Sequence, residues 1–280
     1  MKKASPVLIY SFRFYFNTIG RVFQQIAAKQ LIRLFSSPVN RIVRVKENEI
    51  LQLANKEEIE VEGSRVNVYL WGEEGSIVML FHGWQSNAGS LGAFVNPLLE
   101  KGFRVLAFDA PAHGKSGGKR ANLIYFKKTA EKLLDQYGLP EIVIGHSLGA
   151  NTIIVSAYEQ QIAFNKVILI SPLNRLMSVF EEMRALLWIP NSLFRRFVDS
   201  FGEWAGYPFW DFYFHDFAKK SPLKEVLILH DINDRVTSFS HAKEMKEKWQ
   251  VPTLKGIEGS GHYKILWDSK VLGYVLDFID

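Results

Sequence analysis

Apolar residues along the 280-residue chain fall into two kinds of run. Ile77–Phe81 and residues 105–108, 142–144, 167–170 and 226–229 are short and almost wholly apolar. Such runs predict strands buried on both faces, as in a parallel sheet covered by helices. The stretches between them leave room for right-handed crossover helices at about residues 88–101, 121–137, 148–160 and 240–249. A last strand is expected at 254–257 and a closing helix at 269–278. Upstream, 49–59 and 61–71 read as two short strands, with turn signals at Asn55-Lys56 and Glu62-Gly63 and a stop at Glu73-Glu74-Gly75. The fold class is therefore α/β, with a mostly parallel central sheet flanked by helices.

One interval breaks the alternation. About fifty residues separate Ser171 from Ser221, where a simple crossover needs roughly a dozen, so a helical insertion, a cap, is expected there. Twelve aromatic residues crowd the thirty positions from Trp188 to Phe217. They suit both the core of a small helical subdomain and an apolar wall for a substrate. The expected organisation is an N-terminal helical extension over 1–46, a core in two parts over 47–171 and 222–280, and a cap over 172–221.

Charge sets the N-terminal extension apart. Residues 1–46 carry nine Lys and Arg and no acidic residue, while the remaining 25 Lys and Arg face 29 Asp and Glu. The net charge of +5 thus describes an arm, not a basic core. Tyr15, Ile19, Val22, Phe23 and Ile26 share one face of a helical wheel, predicting an amphipathic helix over much of 12–35. Such a helix packs on the body, meets anionic lipid or serves as a signal or anchor; Arg13 interrupts the apolar run early and no small-residue cleavage site follows, which speaks against the last, and peripheral membrane contact through residues 7–35 is one expectation. Large apolar residues between the charges, without recognition motif or zinc-ligand spacing, speak against nucleic acid. The chain has no cysteine, which excludes disulfides and thiolate chemistry and fits a cytoplasmic protein, at most attached to a membrane surface. No feature assigns an oligomeric state.

The chemistry concentrates in Gly145-His146-Ser147-Leu148-Gly149, which follows a predicted strand and opens a predicted helix. Small residues two before and two after Ser147 permit a tight turn that lifts its hydroxyl clear of the sheet. A serine hydroxyl needs a base. His262, in Gly259-Ser260-Gly261-His262, follows the last predicted strand in a loop suited to presenting an imidazole. An orienting acid is expected between them, after a strand, and Asp231 and Asp234 both qualify. Asp234 is better placed to reach the imidazole, and Asp231, at the strand end, to shape the turn. The backbone N–H groups of Trp84, after the third predicted strand, and Leu148 are the expected oxyanion donors. His82 is expected to brace its loop, and His113 and His146 to be structural. The seven histidines show no metal-ligand spacing, and neither a dinucleotide nor a Walker motif is present, so no metal or cofactor is expected.

Four blocks, in order, resemble the alpha/beta-hydrolase superfamily over residues 57–280: Phe81-His82-Gly83-Trp84, Phe108-Asp109-Ala110-Pro111-Ala112-His113-Gly114-Lys115-Ser116, Gly145 to Gly149, and Asp234-Arg235-Val236 with Gly261-His262. Ala112 stands where that family usually has glycine, and Asp231 where relatives often have it. The layout is similar to bacterial members of undefined substrate. Ser147 at the elbow separates the chain from the members that attack with aspartate. The resemblance implies ester hydrolysis by a serine hydrolase with Ser147, Asp234 and His262 as its triad, and the aromatic insertion favours an uncharged small-to-medium acyl ester as substrate. Thioesterase, lipase, peptidase and acyltransferase chemistry use the same triad, and a silent binding protein on this fold is the non-enzymatic alternative.

Overall fold

The computed structural model describes residues 6–39 and 41–280, which fall into two compact units. One contains the residues up to Ser37 and Arg175–Tyr213; the other contains Pro38–Asn174 and Phe214–Asp280. Residues 38–46 and the helix Phe214–Lys220 thus go with the sheet-containing unit.

That unit is built on eight strands: β1 (Asn55–Val61), β2 (Ser64–Trp71), β3 (Ile77–Phe81), β4 (Arg104–Phe108), β5 (Ile142–His146), β6 (Lys166–Ile170), β7 (Glu225–Asp231) and β8 (Thr253–Ile257). They form one sheet in the order β1-β2-β4-β3-β5-β6-β7-β8. β1 and β2 pair antiparallel, as do β2 and β4, and every other pairing is parallel. The expected mostly parallel α/β sheet is present, and a helical insertion lies between β6 and β7. The strands predicted from unbroken apolar runs are the central ones, and β3 and β5 are buried at every position. Helices supply the crossovers; Leu123–Tyr137 starts at Asn122, whose side chain accepts from the N–H groups of Ile124 and Tyr125.

The strand expected over 49–59 is corrected. Val45–Gln52 is a helix, and β1 begins only at Asn55. The reason lies at the helix start, where the Glu47 carboxylate accepts from the Arg44 backbone N–H at 2.8 Å and pairs with its guanidinium at 2.9 Å. Ile50 and Leu51 are then buried on one face. β1 turns into β2 through Glu62 and Gly63, both at positive φ (49° and 69°), the backbone of a two-residue hairpin turn.

The other unit is helical. The arm, expected as one helix, is three: Pro6–Asn17, Ile19–Val22 and Gln24–Phe35, broken near Thr18 and Phe23. They accompany Leu176–Leu187 and Asn191–Ala205 from the insertion. The core of this unit is aromatic: Phe180 meets Phe35 and Phe197 edge-on at 4.8 and 5.1 Å between ring centroids, and Phe201 lies 5.1 Å from Phe209. Part of the aromatic richness of the insertion is therefore this unit's own core.

Ala112 has φ 63° and is buried. A left-handed conformation costs an L-residue roughly 1–2 kcal/mol, partly offset by the greater freedom glycine has when unfolded. Ala112→Gly is expected to stabilise the protein by about 0.5–1 kcal/mol in urea unfolding. Destabilisation would mean that the buried methyl contributes more through packing than its backbone loses to strain.

Candidate active site

The C-terminal ends of β3, β4, β5, β7 and β8 and the loops that follow them carry the residues singled out in the sequence, all within the sheet-containing unit. Open α/β sheets bind ligands at this end of their strands.

Ser147 sits between β5 and the helix Leu148–Glu159 at φ 51°, ψ −118°, outside the conformations a non-glycine residue adopts easily. Its backbone N–H donates to Ile170 O of β6 at 2.9 Å, and its carbonyl accepts from Asn151 N at 3.1 Å, so strand and helix both hold the turn. The flanking glycines are steric requirements. A Cβ at Gly149 would lie 2.2 Å from Phe81 O, and one at Gly145 would lie 2.7 Å from the Ala150 backbone. Leu148 is the first residue of its helix, where backbone N–H groups lack intrahelical acceptors.

The loop after β3 meets the elbow through Gly83: a Cβ there would lie 3.1 Å from Ser147 Cβ and 2.9 Å from His146 Nδ1. Trp84 follows directly, its ring edge-on to His113 at 5.0 Å. His82 braces this loop with both nitrogens. Nδ1–H donates to Gly83 O at 2.7 Å, and Nε2 accepts from Ala110 N–H at 3.0 Å. Burial, followed by the neighbouring His113 charge, brings the His82 pKa down to about 3. Burial likewise brings His113 down to about 4. Both rings are therefore neutral at pH 7. Asp109 closes the neighbouring loop by accepting from Ala88 N, Lys115 N and the Tyr69 hydroxyl at 2.8, 2.8 and 3.0 Å.

His262 and Asp234 are in direct contact: His262 Nδ1 lies 2.7 Å from Asp234 Oδ2, with both side chains buried. The other carboxylate oxygen accepts from the backbone N–H groups of Val236 and Thr237 at 2.7 and 3.0 Å. Burial pushes the Asp234 pKa up, but hydrogen bonds from His230 and His262, the His262 charge and the Val236 N–H outweigh it and hold the carboxyl well below the usual range. Asp231 does the other work expected of it: its oxygens accept from Asn233 N at 2.8 Å and from Ser260 N at 2.7 Å, tying the β7 turn to the loop that carries His262. His262 also adjoins the elbow. His146 Nε2–H donates to the His262 carbonyl at 2.9 Å, and the two rings lie 4.7 Å apart.

Three contributors were not assigned a place here by the sequence. The Thr237 hydroxyl lies 3.1 Å from both Asp234 Oδ2 and His262 Nδ1. His230 Nε2 lies 3.5 Å from Asp234 Oδ2 while donating to Thr237 O at 2.8 Å. Asp268 holds the Ser260 hydroxyl and caps the closing helix Ser269–Ile279 through Lys270 N. The usable signal for Thr237 was its position three residues beyond Asp234, where a turn returns the chain to the carboxylate; His230 and Asp268 left none.

A family model described as the alpha/beta hydrolase fold matches residues 76–221, just over half of the chain. The chain belongs to the alpha/beta-hydrolase fold family. Among its relatives, a monoacylglycerol lipase of Mycolicibacterium smegmatis is 36% identical over 90 residues, covering 29% of this chain and 31% of that protein. A probable serine hydrolase of Drosophila melanogaster is 33% identical over 98 residues, 32% of this chain and 29% of that protein. The matched stretches thus span under a third of either relative's length. An esterase structure from Pyrococcus furiosus shares the fold at TM-score 0.62 and 22% identity, covering 87% of this chain and 95% of that one. In this alpha/beta-hydrolase chain, Ser147 occupies a strand–turn–helix junction.

The two buried neutral histidines make stability depend on pH. The unfolded chain protonates His82 and His113 below about pH 6.5, whereas the folded chain does so only near 3 and 4. Stability is therefore complete above about pH 6.5 and falls as pH drops through this window, by up to about 1.4 kcal/mol per pH unit for each histidine. His113→Gln is expected to make urea-unfolding free energies between pH 7.5 and 5 fall less steeply than in the wild type. An unchanged slope would show that His113 takes up its proton equally in both states.

Proposed function

We propose that the protein is a serine hydrolase that cleaves uncharged small-to-medium acyl esters through an acyl-enzyme on Ser147, with His262 as base and acid and Asp234 orienting it. The observation that carries this reading is the Asp234–His262 pair, 2.7 Å apart, beside a strained elbow serine whose neighbour His146 bonds the His262 carbonyl. In this mechanism Nδ1–H of His262 stays on Asp234, leaving Nε2 to take the Ser147 proton as Oγ attacks the ester carbonyl. The N–H groups of Trp84 and Leu148 stabilise the oxyanion, the alcohol leaves with the proton from His262, and water attacks the acyl-enzyme by the same base catalysis. Asp234, ionised throughout the neutral range, favours the imidazolium formed at each step.

The preference for an uncharged acyl group is supported by the monoacylglycerol lipase among the relatives. Purified protein is expected to hydrolyse p-nitrophenyl esters of short and medium chain, and Ser147→Ala to lower kcat by about 10³-fold or more while remaining folded. Asp234→Asn is expected to lower it by about 10³–10⁴-fold by stabilising the wrong tautomer of His262. A folded wild type inert on every chain length from acetate to palmitate would overturn the esterase reading.

A further inference from the structure

The helices of the arm turn a large apolar surface away from their own unit's core. In Pro6–Asn17, Val7, Tyr10 and Phe14 recur at helical spacing and are 74%, 62% and 68% exposed. Over the next two turns, Ile19, Val22, Phe23 and Ile26 form a second stripe, 49–75% exposed. This is the face expected from the helical wheel, yet the packing of this unit uses the other one. Phe16, Gly20, Ala27, Ala28 and Leu31 are buried, and the small residues among them let Gln24–Phe35 lie close against Asn191–Ala205. Scattered exposed apolar residues are ordinary, but two consecutive stripes of large ones are not.

The charge around these stripes is of one sign. Arg21, Lys29 and Arg33 are exposed on the same helices, and no acidic residue occurs before Glu47. Arg13 lies 4.0 Å over the Trp188 ring, itself 60% exposed, and donates to Leu186 O at 2.9 Å. A cation stacked on a partly exposed indole suits the boundary between water and hydrocarbon. No helix among the described residues is long and apolar enough to cross a membrane. We propose that the apolar stripes of residues 7–26, together with the cations of the arm, are a docking surface for an anionic lipid bilayer, on which the helices lie in the headgroup layer. Apolar side chains enter the acyl boundary while Lys and Arg meet lipid phosphates, and neither contribution alone holds the protein firmly.

The test is co-sedimentation of the full chain with phosphatidylcholine vesicles, with and without phosphatidylglycerol. The wild type is expected to bind the anionic vesicles, to bind neutral ones weakly, and to be released by salt. Two variants separate the contributions: Val22→Ser/Phe23→Ser/Ile26→Ser removes apolar contact, and Arg21→Gln/Lys29→Gln/Arg33→Gln removes charge. Each is expected to lower partitioning onto anionic vesicles roughly tenfold or more with an unchanged thermal melt, because every altered side chain is exposed. Should one variant fold poorly, the other still decides. A wild type that stays in solution with anionic vesicles, or binding that neither set of substitutions weakens, would overturn the proposal. So would a dimer seen by sedimentation velocity without lipid and abolished by the apolar substitutions, which would give the stripes to a second copy of the chain.

Discussion

A serine at φ 51° persists only where its surroundings leave it no easier conformation. Here β6 takes its N–H, the helix starting at Leu148 takes its carbonyl, and at Gly145 and Gly149 the neighbouring backbone leaves no room for a side chain. The rest of the candidate site depends on this turn. Gly83 brings the loop after β3 against it, and His146, one residue before the serine, holds the His262 carbonyl. A relaxed turn would lose the alignment of three loops at once. Strain of about 1–3 kcal/mol is the cost of such a conformation, and the packing around the C-terminal ends of the central strands is available to offset it.

The second requirement is electrostatic. A buried carboxylate is costly unless its lone pairs are occupied. Asp234 receives two backbone N–H groups on one oxygen and His262 with Thr237 on the other. The charge is therefore stable in place, and it is held where an imidazolium forms in the proposed reaction. Asp231, only three residues away, spends its oxygens on Asn233 and Ser260 and so fixes the path of the two loops. Two nearby carboxylates thus divide the work: one acts on the imidazole, the other on the backbone that carries it.

The helical unit follows a different logic. Aromatic rings pack on one another inside it, and small residues on the arm allow helices to approach closely. Its large apolar residues are divided between that core and the outer stripes. Hydrophobicity alone does not say which face of such a helix is buried. Residue size does: alanines at 27 and 28 permit a close approach that Val22, Phe23 and Ile26 would prevent.

The parallel strands were legible because burial on both faces demands unbroken apolar runs, and the elbow because tight turns demand small residues at set positions. That the long interval after β6 holds extra helical structure was legible from its length. The helix at Val45–Gln52 was not, because it is decided by the Arg44–Glu47 interaction and by burial of Ile50 and Leu51, neither of which gives a strong periodic pattern in eight residues. His230 was hidden for a related reason, since its importance lies in a distance to Asp234 that a folded turn creates, whereas Thr237 left only its spacing from Asp234 as a signal. By itself the sequence determined the α/β class, the order of Ser147, Asp234 and His262 after successive strands and the cationic, apolar character of the arm, since these follow from local periodicity and composition. Only the tertiary structure decided which carboxylate meets His262 and which face of the arm is left in water, because both depend on contacts between segments far apart in the chain.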